Sequence, residues 1–254
     1  MAQQALPERG ARLGRPMGAA AARETVHGVV LLLPGADPAG TRRPSRLSAA
    51  AVLPLARRMV RAGRSEGLTA HVVHYRCRGW NGASADPATD AGWAAEEVVR
   101  RYGDVPICLA GHGMGARAAL RAAGHPAVSS VVALAPWLPE PDTEPAPEPV
   151  KQLVGRKVLI AHGTNDERTD PDLSYRLAER AKKVNRDVCR FEVHTDGHGL
   201  HQHRSEVQAL VIDFLLGSLF ASGYSRPVAD ALAAPPPLGL RMPLAAGFGA
   251  NLRR

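Results

Sequence analysis

Six short apolar runs rich in β-branched residues recur along the chain, with stretches of helical periodicity between them. We place the strands at 26–33, 69–75, 105–110, 130–135, 157–162 and 188–194. Helices are predicted at 47–64, 89–101, 114–123 and 205–220, and another begins at Pro171 with Asp170 as its N-cap. This alternation is typical of βαβ units, in which a helix connects two parallel strands. The sequence therefore predicts a doubly wound α/β domain with a mostly parallel, six-stranded sheet flanked by helices.

The two ends of the chain differ in composition from this centre. Residues 1–25 contain arginines and prolines but no long apolar run, and residues 222–254 are rich in Pro, Ala, Gly and Arg without strand or helix periodicity. We expect a flexible N-terminal segment (1–25), one domain (26–221) and a flexible C-terminal tail (222–254). Residues 136–149, between the fourth and fifth strands, include six prolines and predict an extended connection rather than a bulky lid.

Composition limits the class of protein. The 254 residues are 45% hydrophobic and 22% charged, which is enough to bury a core and is unlike a disordered chain. The sequence contains no run of about 18 apolar residues, so it predicts no membrane helix. It also contains no recognisable secretory signal, so we expect a cytoplasmic protein. The cysteines Cys77, Cys108 and Cys189 are far apart, which predicts buried thiols rather than disulfides or metal ligands.

The net charge of +8 is concentrated in a few segments. Residues 42–64 hold seven arginines and no acid, and both ends of the chain also carry an excess of arginine. Aromatic residues make up only 4% of the chain, and we find no nucleic-acid recognition motif. The pattern indicates a hydrated basic face, so neither nucleic acid nor a membrane is predicted as a partner.

The third strand ends in a glycine-rich turn that leads into a helix. Residues 111–116 read Gly-His-Gly-Met-Gly-Ala. A strand, a tight turn and a helix is the context of the nucleophile elbow, G-x-S-x-G, but the middle position here is Gly113. The same residues satisfy the dinucleotide fingerprint G-x-G-x-x-G/A. That fingerprint belongs to the first βα unit and needs an acid about 20 residues later, whereas the next strand ends in Ala-Leu-Ala-Pro at 133–136.

The surroundings of Gly113 resemble the α/β-hydrolase superfamily, especially its small lidless esterases and dienelactone hydrolases. The resemblance covers roughly residues 26–220, and four further segments carry it: Leu-Leu-Leu-Pro-Gly-Ala at 31–36, Tyr-Arg-Cys-Arg-Gly-Trp-Asn-Gly at 75–82, Leu-Ile-Ala-His-Gly-Thr-Asn-Asp at 159–166 and Asp-Gly-His-Gly at 196–199. The family usually has His where Pro34 stands. The resemblance implies a minimal α/β-hydrolase fold.

The resemblance also implies a site. It gives the triad acid as Asp166, the histidine as His198 and the oxyanion-hole amides as those of Ala36 and Met114, with Gly113 at the nucleophile position. The order of nucleophile, acid and histidine along the chain is that of the family.

Other roles for these residues remain open at this point. Asp166 has the alternative of an Asx turn, and Asp170 is a competing acid, although Pro171 after it indicates a helix cap. His198, His201 and His203 form a tempting zinc cluster, but no Cys or Glu stands at ligand spacing. We predict no metal and no cofactor.

Gly113 leaves the predicted function divided, because it has no side-chain oxygen or sulfur for His198 to activate. The first hypothesis is an esterase-like protein with weak or absent serine-hydrolase catalysis and a retained small-molecule pocket. The alternatives are an active hydrolase, in which the His198 and Asp166 dyad activates water or Cys108 is recruited, and a non-catalytic binding or scaffold protein. The predicted partner is a small acyl substrate or ligand, and a homo-oligomer stays open.

Overall fold

The computed structural model describes residues 10–140 and 147–250, and within them nine strands form one sheet. The strands are β1 (Arg12–Leu13), β2 (Met17–Gly18), β3 (Gly28–Leu33), β4 (Leu68–His74), β5 (Ile107–His112), β6 (Val128–Leu134), β7 (Lys157–Gly163), β8 (Val188–Val193) and β9 (Met242–Pro243). The helices are α1 (Ala19–Ala22), α2 (Arg46–Ala51), α3 (Leu53–Ala62), α4 (Asp86–Tyr102), α5 (Met114–Ala122), α6 (Pro171–Val184), α7 (Arg204–Phe220) and α8 (Arg226–Ala233).

The sheet runs in the order β1-β4-β3-β5-β6-β7-β8-β9, and β2 also pairs with β4. All pairs are parallel except those of β1 and β2 with β4. Alternate side chains of a strand enter the two opposite cores: Ile107 and Leu109 pack with α4, α5 and α6, whereas Cys108 and Ala110 pack with α3, α7 and α8. The predicted doubly wound, mostly parallel sheet is confirmed.

The chain order places a crevice between β3 and β5. From β3 the chain first adds β4 on one side and then returns to add β5 on the other side. The connections after β3 and β5 therefore leave the sheet in opposite directions, which opens a crevice at the carboxyl ends of the two strands. Ala36 follows β3 and Gly113 follows β5, so the fold brings both loops to this crevice.

The sheet has nine strands where we predicted six, because three two-residue strands extend its edges. A two-residue strand is too short to show alternation, which is why the sequence pattern missed β1, β2 and β9. The described residues at the two ends, which we expected to be flexible, include segments that pair with the sheet or pack against it. At one end, β1 and β2 pair with β4. At the other, α8 buries Val228 and Ala231, and Met242 pairs with Phe191.

The helix predicted at 47–64 is also wrong as one element, because it divides into α2 and α3. Pro54 has no amide hydrogen to donate to the Ala50 carbonyl, so a continuous helix would lose a hydrogen bond there. The predicted cap of α6 is confirmed, since the Asp170 side chain accepts from the Asp172 amide at 2.8 Å.

The predicted extended connection at 136–149 falls partly on residues 141–146, which lie outside the described residues. The flanking residues 136–140 and 147–149 have no regular secondary structure. Among the helices of the described ranges, none is long and apolar enough to cross a bilayer.

Candidate active site

Gly113 stands between β5 and α5 in a backbone conformation that side chains rarely adopt. Its φ is 56° and its ψ is −119°, a strained combination that costs other residues on the order of 1–3 kcal/mol. A Cβ on Gly115 would overlap the Leu33 carbonyl, and one on Gly111 would overlap the Gly115 backbone. Glycine at these two positions lets the turn lie tightly against β3, so the sequence favours the sharp turn at Gly113.

Two loops bring a histidine and a carboxylate to this turn. His198 follows β8 and Asp166 follows β7, and His198 Nδ1 lies 2.9 Å from Asp166 Oδ2. The carboxylate accepts, so Nδ1 carries the hydrogen and Nε2 of the neutral ring is a proton acceptor. A Cβ built on Gly113 would lie 3.3 Å from His198 Nε2. A hydroxyl oxygen on that carbon would be within hydrogen-bond reach of the ring.

Asp166 is buried, yet it is held as a carboxylate. Burial raises the pKa of this carboxyl group, but hydrogen bonds from His162, Thr169, the Arg168 amide and His198 outweigh burial and keep the pKa well below its ordinary value. Thr169 Oγ1 donates to Oδ2 at 2.6 Å. A fixed negative charge therefore faces the Nδ1 side of His198.

Asp166 forms both of the interactions that the sequence left open, the contact with His198 and an Asx turn. Its Oδ1 accepts from the amides of Arg168 at 2.9 Å and Thr169 at 3.1 Å, which is an Asx turn, while Oδ2 binds His198. Asp170 caps α6 instead of approaching the histidine. The turn and the dyad thus use different oxygens of one carboxylate.

Sequence reasoning gave no role to His162 or Thr169, although both hold Asp166 in place. His162 is fully buried on β7, with Nε2 3.1 Å from Asp166 Oδ2 and Nδ1 2.9 Å from Ser174 Oγ. One signal was present: a histidine interrupts the apolar run of β7 four residues before Asp166. For Thr169 no sequence signal existed.

His112, next to the turn, holds the backbone of His198. Its Nε2 lies 2.7 Å from the His198 carbonyl oxygen, which can only accept, so Nε2 donates. The two imidazoles meet edge to face with centroids 4.7 Å apart. Burial lowers the pKa of His112 to about 4, so the ring is neutral at pH 7.

A cavity of about 270 Å³, which we call the elbow cleft, opens at these residues. Gly113, His198, Ala36 and Met114 line it, and Asp166 lies behind them, bonded to His198. Met114 begins α5, and the first amides of a helix have no partner within the helix. Neither this amide nor that of Ala36 donates to another described residue. Both are suited to bind an oxyanion.

The other candidate residues, Cys108, His201 and His203, are not placed to react with a ligand in the elbow cleft. Cys108 is fully buried in β5, and burial raises the pKa of its thiol to about 12, so no thiolate forms at neutral pH. His201 Nδ1 lies 2.8 Å from Arg204, and His203 Nδ1 lies 3.4 Å from Asp196. Among the described residues, no three His, Cys, Asp or Glu side chains are grouped as metal ligands would be.

Comparison with known proteins shows a likeness of structure and none of sequence. No family model matches the chain, and no curated protein matches it. Among the solved structures that resemble it is an esterase of Pyrococcus furiosus, with 17% identity over 76% of this chain and 83% of the other and a TM-score of 0.60. A lidless α/β serine hydrolase of Xanthomonas campestris shares 21% identity over 84% of this chain and 89% of the other, with a TM-score of 0.55. A monoacylglycerol lipase of Paleococcus ferrophilus shares 15% identity over 82% of this chain and 99% of the other, with a TM-score of 0.56. At these identities the likeness is one of fold.

Proposed function

Since the chain has the α/β-hydrolase fold, we propose that the elbow cleft is a serine-hydrolase site that lacks only its nucleophile. It retains a pocket for a small acyl compound, while ordinary ester hydrolysis is weak or absent. One observation carries the proposal: Gly113 has the strained backbone of an elbow, and its Cβ position faces His198 Nε2 at 3.3 Å. Loss of the nucleophile alone costs a triad enzyme about 10⁶-fold in turnover.

The dyad and the predicted oxyanion-hole residues support this proposal. The dyad hydrogen bond is 2.9 Å long, Asp166 is held ionised, and Ala36 and Met114 line the cleft. The Asx turn uses only Oδ1 of Asp166, so it does not explain why the second oxygen of this buried carboxylate binds the partly exposed ring of His198, although burying a charge costs free energy. These features favour a ligand-binding cleft over the scaffold hypothesis.

The test is to supply the missing oxygen. Gly113→Ser is expected to raise kcat/KM for p-nitrophenyl acetate and butyrate about 100-fold or more over the unmodified protein, because the new hydroxyl lies within reach of His198 Nε2. The assay follows p-nitrophenolate release. The same substitution should lower the unfolding free energy by about 1–3 kcal/mol through backbone strain at position 113.

Two controls make that result specific. Gly113→Ala places the same Cβ and the same strain in the turn without an oxygen, so it should be destabilised equally and stay inactive. Gly113→Ser combined with His198→Ala keeps the oxygen and removes the base, so the gained activity should disappear. A folded Gly113→Ser variant with no more activity than Gly113→Ala would refute the proposal.

A second candidate function has one observation in its favour. His198 Nε2 is an acceptor directed at the side of Gly113 where no side chain stands, so it can take a proton from a water there. That water's oxygen would bond to the substrate carbonyl carbon, and His198 would return the proton to the departing alkoxide. Ester hydrolysis by the unmodified protein that is abolished by His198→Ala would establish this candidate in place of the first.

We propose further that this is a small esterase-type protein of the lidless, dienelactone-hydrolase-like kind that works in the cytoplasm. The likeness to a lidless serine hydrolase supports the first point. The three cysteines are free and buried, which fits a reducing compartment. Mass measurement of the intact protein with and without reductant checks the thiols, and a disulfide in freshly isolated protein would contradict the cytoplasmic assignment.

A further inference from the structure

A second, larger cavity lies beside the elbow cleft. It measures about 810 Å³ and shares five lining residues with the cleft: Gly35, Pro44, Ser45, Ser48 and Tyr75. The two cavities are therefore neighbours, and the loop that follows β3 lines both. Volumes of about 300–1,000 Å³ are usual for small-molecule sites, so a compound bound at Gly113 has room to extend into this second cavity.

Arginines set the chemistry of the larger cavity, which we call the arginine cavity. Arg12, Arg43, Arg46 and Arg76 line it, and its described lining includes no Asp or Glu. Arg76 is neutralised, because its Nε lies 2.6 Å from the buried Asp90. The other three make no ion pair with a described residue, so three positive charges remain uncompensated around one space.

The pKa of His74, which also lines this cavity, responds to burial and to the positive charge of an arginine. His74 lines the arginine cavity, and both burial and the positive charge of Arg12 lower its pKa. The His74 ring is therefore mainly neutral at pH 7 and contributes no charge of its own. Within the larger cavity, the net field at neutral pH comes from the guanidinium groups.

This placement was not visible from the sequence. Residues 42–64 hold seven arginines, which the charge pattern alone indicated as a hydrated face. The structure separates them: Arg43 and Arg46 line the arginine cavity, while Arg57 and Arg61 line a different groove against α7. Arg12 comes from β1, the edge strand beside β4, and lines the same cavity as Arg43 and Arg46.

We propose that the ligand of the elbow cleft carries a carboxylate or phosphate group, which Arg12, Arg43 and Arg46 bind while its acyl carbonyl lies at Gly113. This inference rests on the proposed function of the cleft. Guanidinium groups bind both oxyanions through paired, charge-assisted hydrogen bonds. The site would therefore select acyl compounds with an anionic tail over neutral esters of the same shape.

The test is a calorimetric titration of the unmodified, full-length protein. One probe is monobenzyl glutarate, a half ester with one free carboxylate, and the other is benzyl methyl glutarate, its neutral diester. The half ester should bind about tenfold or more tightly, because charge-assisted hydrogen bonds between a guanidinium and a carboxylate are stronger than hydrogen bonds to a neutral ester. Competition by glutarate or by inorganic phosphate then shows which of the two anions the cavity prefers.

A matched pair of double variants locates the effect. Arg43→Gln with Arg46→Gln should remove the preference for the half ester, whereas Arg57→Gln with Arg61→Gln removes the same charge from the other groove and should leave the preference unchanged. All four arginines are exposed, so folding should survive both changes. Equal binding of the two probes, equal weakening by both double variants, or no binding of either probe would overturn the proposal.

The result of this titration can be distinguished from the result of the Gly113→Ser assay. If Gly113→Ser hydrolyses neutral esters and the titration shows no preference for the half ester, the hydrolase site stands and the anionic substrate class is wrong. If the half ester binds through Arg43 and Arg46 while Gly113→Ser remains inactive, the anion site stands and the proposed function is wrong.

Discussion

At the scale of single residues, His112 couples the turn at Gly113 to the loop of His198. The hydrogen bond from its Nε2 to the His198 carbonyl requires only a donor, which the neutral ring supplies. Protonation would place a positive charge in a buried position, and burial is the main reason that the pKa of His112 falls to about 4. His112 therefore positions the dyad histidine without taking a charge at neutral pH.

This buried histidine predicts a pH dependence of stability. The unfolded chain protonates His112 near pH 6.5 and the folded protein only near pH 4, so the unfolded state binds more protons between these values. Stability should fall by up to about 3 kcal/mol from this group as pH drops from 6.5 to 4. Urea unfolding at half-unit pH steps measures the slope.

The comparison variant for this effect is His112→Gln, which keeps a side-chain donor and cannot titrate. Its stability curve should be flatter over the same window, whatever its absolute stability. His71 and His74 also have lowered pKa values, but they contribute equally to both proteins. Asp166 loses its contribution only below its ordinary pKa of 3.8. Parallel curves for the two proteins between pH 6.5 and 4 would show that His112 titrates normally.

At the scale of elements, the far end of the sheet is completed by a segment that the sequence pattern did not reveal. Helix α8 places Val228 and Ala231 in the core shared with α3 and α7, and Leu244 is buried just after β9. Each anchor is one or two apolar residues between prolines, glycines and alanines, so no period of 2 or 3.6 develops. Tertiary contacts, not local periodicity, order this end of the chain.

That packing predicts the effect of a single substitution in α8. Val228→Ala should lower the unfolding free energy by about 2 kcal/mol, because it leaves a cavity at a fully buried position. Ala229→Ser, at the exposed neighbouring position, should change it by no more than about 0.5 kcal/mol. Denaturant unfolding of both variants checks the difference. A flexible tail would give two curves that coincide with that of the unmodified protein.

At the scale of the whole molecule, the sequence predicted those features that repeat or follow a motif. The six main strands and the order of Gly113, Asp166 and His198 could be predicted because apolar runs and loop motifs are local. The supporting bonds of His162 and Thr169 could not, because they join loops that only the folded sheet brings together. The arginine cavity likewise depends on β1 meeting the segment before α2.

If the elbow cleft is a serine-hydrolase site that lacks only its nucleophile, covalent labelling at the cleft must depend on the residue at position 113. A fluorophosphonate probe forms a bond from phosphorus to an activated serine oxygen and expels fluoride, so intact-mass and peptide mass spectrometry record one adduct and its position. We expect no adduct on the unmodified protein and one adduct at position 113 of Gly113→Ser, which is lost when His198→Ala is added. An adduct on the unmodified protein, or a folded Gly113→Ser variant that stays unlabelled, would contradict it.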